Sequence, residues 1–268
     1  MAEGIVPPVI CFDFDGTLVN SDGLIHPSDI EILRSGSSAT FIPATGRPLH
    51  AVRRVFGLHG LFAERPIAFP LILENGAALY RSDELLHSQY SFEPEVRDVL
   101  VRTMLDSPRV TFLLFSLDRV RMLWPSSAGW KMARRFGLTT QLYSPDHRED
   151  ALTKLVAIAE TPEPLRAFDA ETAGVELERA YSLPTVLEYT RAGIDKGRGL
   201  SILLDSAPRS DSRVIVAGDG ENDLPLFGLA DMSFAPGDSP AAIRGRADHV
   251  IDVKENGLLA PIFREIGV

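Results

Sequence analysis

The sequence predicts an α/β fold built on a mainly parallel sheet, with a second α/β unit inserted into it. Three observations carry this. Short runs rich in β-branched and aromatic residues alternate with stretches of helical period, the pattern of repeated strand–helix units. The runs at 9–17, 39–44, 67–73 and 213–217 each end in a cluster of Gly, Thr, Asp or Asn, and ligands of open parallel sheets gather at the carboxyl ends of the strands. The long middle stretch has strand and helix patterns of its own but no such endings.

The first run, Val9-Ile10-Cys11-Phe12-Asp13, is apolar up to its last residue and leads into the turn Phe14-Asp15-Gly16-Thr17, as a strand buried on both faces would. A helical pattern follows at 27–33, with Ser28 and Asp29 as its caps. The next run, 39–44, delivers Thr45-Gly46-Arg47, and Pro48 opens a helix to about residue 56 because proline suits a first turn. The run at 67–73 ends in Glu74-Asn75-Gly76, where Asn75-Gly76 reads as a turn. The run at 213–217 ends in Gly218-Asp219-Gly220-Glu221-Asn222-Asp223. Between these lie strand-like runs at 110–117, 153–159 and 175–181 and helical stretches at 94–104, 129–136 and 164–173. The division expected is 1–79 with 188–268 for the main unit and 80–187 for the insertion. Closing a lid over a reaction centre, which excludes water, is one task for such an insertion.

Composition narrows the function. The chain has 268 residues, 45% hydrophobic and 24% charged, a globular mix. Its formal charge of −10 disfavours nucleic acid and anionic membranes as partners. No apolar run reaches the roughly 20 residues of a membrane span. Cys11 is the single cysteine, so no internal disulfide forms, a thiolate zinc site is not expected, and a reducing, cytoplasmic location is expected. Residues 1–8 carry no basic segment ahead of an apolar stretch, so no signal peptide is expected. His26, His50, His59, His87, His147 and His249 lack close metal-ligand spacing, and none is assigned to a metal.

The chemistry lies in the acids. Asp13 and Asp15 are two apart, so on a strand they face one side. Two neighbouring carboxylates repel and call for a cation; Mg2+ prefers such oxygen ligands. Asp219 and Asp223 stand at a second strand end, four apart. Four acids from two strand ends can hold one metal. A phosphate beside it would find the Thr45 hydroxyl, the Gly46 N–H and a lysine. Each group also has a plainer reading. Asp is common in turns, Thr45 can cap a helix, Asp219 and Asp223 can cap one beginning near Glu221, and a lone Lys196 is ordinarily solvated. Cys11 reads as core. Arg47 divides between substrate contact and a structural ion pair. Trp124 and Trp130 read as core of the insertion. Arg119, Arg121, Lys131, Arg134 and Arg135 read mostly as solvated faces, with one or two free to meet an anionic leaving group.

Taken in order, Asp13-Phe14-Asp15-Gly16-Thr17-Leu18, Thr45-Gly46-Arg47, Gly193-Ile194-Asp195-Lys196-Gly197 and Gly218-Asp219-Gly220-Glu221-Asn222-Asp223 resemble the four motifs of the haloacid dehalogenase superfamily. The long gap between the second and third is similar to the Cof-like branch, which carries a large α/β cap there. The segment 234–240 departs from that branch, with Asp238 in place of an amide.

The resemblance implies a Rossmann-like core covered by the cap. It also implies Mg2+-dependent hydrolysis of a small phosphomonoester, with a sugar phosphate as the expected substrate. Asp13 would be the nucleophile and Asp15 the general acid and base. Mg2+ would be held by the Asp13 carboxylate, the Asp15 main-chain carbonyl and Asp219, with Asp223 orienting the shell or binding through water. Thr45, Gly46, Arg47, Lys196 and Asn222 would bind phosphate or substrate. The partner implied is a small phosphate ester, in a monomer or homodimer. A phosphomutase of the same superfamily, or a non-catalytic phospho-ligand-binding or signalling protein, is the alternative.

Overall fold

The computed structural model describes residues 6–35, 39–117, 119–144, 151–206 and 212–267. Residues 1–5 and His147, both of which entered the sequence reading, lie outside these. Among the described residues the strands and helices form two sheets with their flanking layers.

The first sheet is built from Val9–Asp13 (β1), Thr40–Ala44 (β2), Leu71–Leu73 (β3), Ala78–Tyr80 (β4) and Leu86–Gln89 (β5), joined much later in the chain by Val214–Ala217 (β12), Met232–Pro236 (β13) and His249–Ile251 (β14). Its order is β14-β13-β12-β1-β2-β3-β4-β5. Pairing is parallel from β14 through β3 and antiparallel across β3, β4 and β5. β1 is central and wholly buried, and its residues alternate between two cores. Ile10 and Phe12 pack into a cluster with Leu33 of Pro27–Ser35 (α1), Val52 and Phe56 of Leu49–Leu58 (α2), and Ile262 of Leu259–Ile266 (α10). Val9 and Cys11 pack with Leu200 and Leu203 of Lys196–Asp205 (α6) and Leu226 of Leu224–Phe227 (α7). The short helices Ala241–Arg244 (α8) and Val253–Asn256 (α9) follow β13 and β14.

The second sheet consists of Thr111–Ser116 (β6), Arg119–Leu123 (β7), Thr140–Leu142 (β8), Lys154–Ile158 (β9), Leu177–Leu183 (β10) and Val186–Arg191 (β11), in the order β10-β11-β9-β6-β7-β8. It is antiparallel except between β7 and β8. One face carries Phe112, Leu155 and Tyr189, packed against Leu100 and Met104 of Pro94–Leu105 (α3) and Leu165 and Phe168 of Pro162–Glu171 (α5). The other face is partly covered by Ser127–Arg135 (α4), through Met132 and Ala133. Leu113, Phe115, Val156 and Val186 of that face line a cavity against the first sheet.

The sheet pairing moves both expected unit boundaries. β4 and β5 turn back antiparallel on β3, with Leu71 opposite Tyr80, so the first unit extends beyond residue 79 to Gln89. β11 pairs with β9 and β10 and places Leu187 and Tyr189 in the second core, so the insertion ends at Arg191 rather than 187. The run at 67–73 contributes only Leu71–Leu73 as strand, because Pro66 and Pro70 cannot donate to a ladder. Asp29 does not cap α1. Its carboxylate is buried and accepts the N–H groups of Leu258 and Leu259 at 2.8 Å each, which caps α10 instead.

Candidate active site

The carboxyl ends of β1, β2, β3 and β12 meet, and the first, second and fourth motif loops emerge there, while the third follows β11 and opens α6. Asp13 is the last residue of β1 and pairs with Ala44, so the loop 45–47 starts beside it. The turn after β3 is tied to that loop by Glu74 N–H to the Arg47 carbonyl (3.2 Å) and Asn75 N–H to the Thr45 carbonyl (3.0 Å). Gly76 has φ 98°, and a Cβ there would stand 2.1 Å from the Asp195 carbonyl oxygen. Only glycine therefore lets this turn press on the start of α6. Asp195 caps α6 by accepting Arg198 N–H at 2.7 Å, and the next residue, Lys196, points inward.

Lys196 is the largest departure from its plainer reading, being 1% exposed. Its ammonium donates to Asp13 Oδ1 and, at 2.7 Å, to Asp223 Oδ1. Burial works against the charge, but the two carboxylates outweigh it and hold the lysine above its usual range. Asp223 is fully enclosed and its second oxygen accepts the N–H groups of Asp219 and Gly220 at 3.0 Å each. Asp219 takes a bond from the Thr17 hydroxyl (3.3 Å). Burial, then the neighbouring Asp223, push its carboxyl up to about 6.

Carboxylate oxygens of Asp13, Asp219 and Asp223 lie within 4.8 Å of one another. An all-oxygen donor set suits a hard divalent cation, so these residues fit Mg2+. Asp13 and Asp219 line the cavity whereas Asp223 does not, and both Asp223 oxygens are already engaged. This fits Asp223 as the group that orients the loop 218–220, not as a direct ligand. The Asp15 carboxylate stands apart from the cluster. Arg47 holds it with Nε to Oδ2 at 2.7 Å and Nη2 to Oδ1 at 2.5 Å. Arg47 also donates to the Phe136 carbonyl at 3.0 Å and lies 5.6 and 5.1 Å from the Phe14 and Phe136 ring centres. Thr45 is buried, with its hydroxyl oxygen accepting Arg47 N–H at 3.2 Å. Thr45, Gly46 and Asn222 all line the cavity, which has a volume of about 1540 Å³.

Sequence reading missed Lys154 and Glu188. They meet at 2.6 Å, and Lys154 donates across to the Gly46 carbonyl at 2.9 Å. Asn75 Nδ2 donates to Glu188 at 2.8 Å. Burial opposes the Glu188 charge, but Lys154, with hydrogen bonds from Lys154, Ser182 and Asn75, carries its pKa below the usual range. The available signal was a single charge inside each of two apolar runs, Thr153-Lys154-Leu155-Val156 and Val186-Leu187-Glu188-Tyr189. Asn75 is a turn residue as read, at φ 58°, but also lines the cavity. Arg121 is buried rather than solvated, Arg135 lines the cavity, and Trp124 and Trp130 are surface residues rather than core. Asp238 pairs with Lys254 at 2.7 Å on the surface. Cys11 is buried core, and burial raises its thiol far above the usual range. No helix among the described residues is long and apolar enough to cross a membrane.

Acids from two strand ends, a buried lysine and a covering insertion define a hydrolase site, and the chain belongs to the haloacid dehalogenase-like hydrolases, whose family model matches residues 10–262. Pyridoxal phosphate phosphatase YbhA of Escherichia coli is 25% identical over 262 residues, covering 91% of this chain and 92% of that protein. A phosphoglycolate phosphatase of Methanothermobacter thermautotrophicus is 32% identical over 243 residues, covering 90% of each. Among solved structures, a haloacid dehalogenase-like hydrolase from Bacteroides thetaiotaomicron superposes with a TM-score of 0.81 at 21% identity, over 97% of this chain and 99% of that one.

Proposed function

We propose that this protein hydrolyses small phosphomonoesters, with a sugar phosphate as the expected substrate, through a phosphoenzyme on Asp13 with Mg2+ bound beside it. The observation that carries the reading is Asp13 itself, a buried carboxylate backed by the Lys196 ammonium at the wall of a cavity. The names of the two relatives, phosphatases of pyridoxal phosphate and phosphoglycolate, support a small phosphate ester. The mixed polar and apolar lining of the cavity suits an alcohol bearing hydroxyls.

An Asp13 oxygen attacks phosphorus, the bond from phosphorus to the ester oxygen breaks, and Asp15 gives its proton to the departing alcohol. Water then attacks phosphorus, Asp15 takes the water's proton, and the Asp13–phosphorus bond breaks to release inorganic phosphate. The Arg47 fork holds the Asp15 carboxyl in place beside the reacting atoms. Thr45, Gly46 and Asn222 surround the phosphoryl oxygens and orient them, and Lys196 sets its charge behind Asp13. Bound Mg2+ supplies positive charge against the phosphoryl oxygens. Asp13, Asp219 and the Asp15 main-chain carbonyl would hold it, with Asp223 fixing the Asp219 loop. The insertion closes the alcohol side of the cavity and excludes water.

The test is phosphate release from hexose and pentose phosphates, phosphoglycolate, pyridoxal phosphate and an aryl phosphate, with Mg2+ and with chelator. Wild type releases phosphate only with the metal. Asp13→Asn, which keeps the shape of the side chain, loses on the order of 10³-fold or more in kcat. Near-normal turnover in the variant would overturn the nucleophile assignment. Isomer formation without free phosphate would identify a mutase.

A further inference from the structure

Asn75, Lys154 and Glu188 meet beside Gly46. Lys154 and Glu188 come from neighbouring strands of the insertion, and both line the cavity with Leu113, Phe115 and Val156. A carboxylate can only accept, so the Asn75 amide must turn its nitrogen to Glu188 and its oxygen away. That oxygen, Oδ1, is buried and has no hydrogen-bond partner among the described residues, on a side chain whose residue is 6% exposed. It lies against Gly46, 3.0 Å from where a Cβ on that glycine would stand. Buried acceptors are nearly always satisfied in folded proteins. One held next to a phosphoryl-binding loop points to a donor that arrives with the substrate.

We propose that Asn75 Oδ1, oriented by the Lys154–Glu188 pair, accepts a hydrogen bond from a hydroxyl of the leaving alcohol. The site would thus select neutral hydroxyl-bearing alcohols over carboxylate-bearing ones. This rests on the phosphatase reading and adds to it the residue that selects the alcohol. A hydroxyl can donate to Oδ1, whereas a carboxylate cannot and would set its charge against both Oδ1 and Glu188. Lys154 already donates to Glu188 and to the Gly46 carbonyl, so its charge is shared with Glu188 and only one of its three N–H groups is left over. The apolar wall of Leu113, Phe115 and Val156 fits the C–H face of a polyol.

The experiment measures kcat/KM with Mg2+ for a hexose- and pentose-phosphate panel, for single-deoxy analogues of the best member, for phosphoglycolate and for phenyl phosphate. Wild type prefers the sugar phosphate to phosphoglycolate, and one deoxy analogue loses about tenfold, the size of one hydrogen bond. Asn75→Gly, which tolerates φ 58°, lowers the ratio of sugar phosphate to phenyl phosphate by about tenfold and abolishes the penalty for that deoxy analogue. The wild-type analogue series stands on its own if the variant folds poorly. Faster hydrolysis of phosphoglycolate than of any sugar phosphate overturns the inference and moves alcohol recognition to Arg135 or Arg166, which also line the cavity. So does equal turnover of parent and every deoxy analogue. Phosphate release with the wrong selectivity overturns this inference alone. No release from any ester overturns the phosphatase reading and the inference with it.

Discussion

Arg47 grips the carboxylate of Asp15 with two nitrogens, at 2.7 and 2.5 Å, and with the third reaches the Phe136 carbonyl at the end of α4, 3.0 Å away. One guanidinium thus ties the acid–base candidate to the insertion that covers it. Lysine carries the charge but not the planar fork. Arg47→Lys is expected to lower kcat by about 10- to 100-fold, since two charge-assisted bonds that position Asp15 become one at most. Steady-state kinetics decide this. An unchanged kcat would leave Arg47 with only a packing role between Phe14 and Phe136.

Lys196 and its two carboxylates form a buried triad with a single positive member. Removing one partner of a buried ion pair strands the others, at a cost of about 3–5 kcal/mol. Lys196→Met is expected to lose stability on that scale in chemical denaturation, besides losing activity. A loss under about 1 kcal/mol would show that the buried ion pairs of Lys196 are not what holds this part of the fold.

Mg2+ should stabilise the fold as well as support turnover, because it binds only where Asp13 and Asp219 are brought together. Binding at a hundred times the dissociation constant adds about 2.7 kcal/mol. The melting temperature of wild type is expected to rise with added Mg2+ and to fall back with chelator. Asp219→Asn should lose most of that rise. An equal rise in wild type and variant would place the metal elsewhere.

The strand-end chemistry was legible in the sequence because each motif is local. Asp13 and Asp15 share one turn, Asp219 and Asp223 another, and a parallel sheet must bring such turns to one edge. What stayed hidden depends on distant pairing. Glu188 follows Asn75 by 113 residues and reaches it only because β11 joins β9 in the insertion. A lone charge in an apolar run gives no sign of what it will face. The boundary at 79 fell short for a related reason. β4 is short and β5 is exposed at Leu86 and His87 and half-buried at Ser88 and Gln89, so the hairpin lacks the long apolar run that marks the parallel strands. Lys196 taken alone reads as solvated, and only its place in the third motif marked it for the site, because its burial comes from Asp13 and Asp223 and not from its own neighbours in sequence.

Glu74 provides a pH test of the contact between the units. Its carboxylate is buried and accepts the Thr153 hydroxyl from the insertion. Burial raises its pKa from an ordinary 4.5 to about 7, and the Thr153 bond and the Lys154 charge oppose this only in part. Between those values the folded protein holds a proton that the unfolded chain has released. Stability from this group therefore falls as pH rises through that window, and the loss is complete above about 7. The full shift corresponds to about 3 kcal/mol. Glu74→Gln has the same shape, can still accept the Thr153 hydroxyl, and has no proton to lose. The stability of the variant relative to wild type is expected to be near zero difference at pH 4.5 and to grow to about 3 kcal/mol in its favour by pH 8, read by denaturation at a series of pH values. A difference that stays constant across the series would show that Glu74 does not titrate in this range.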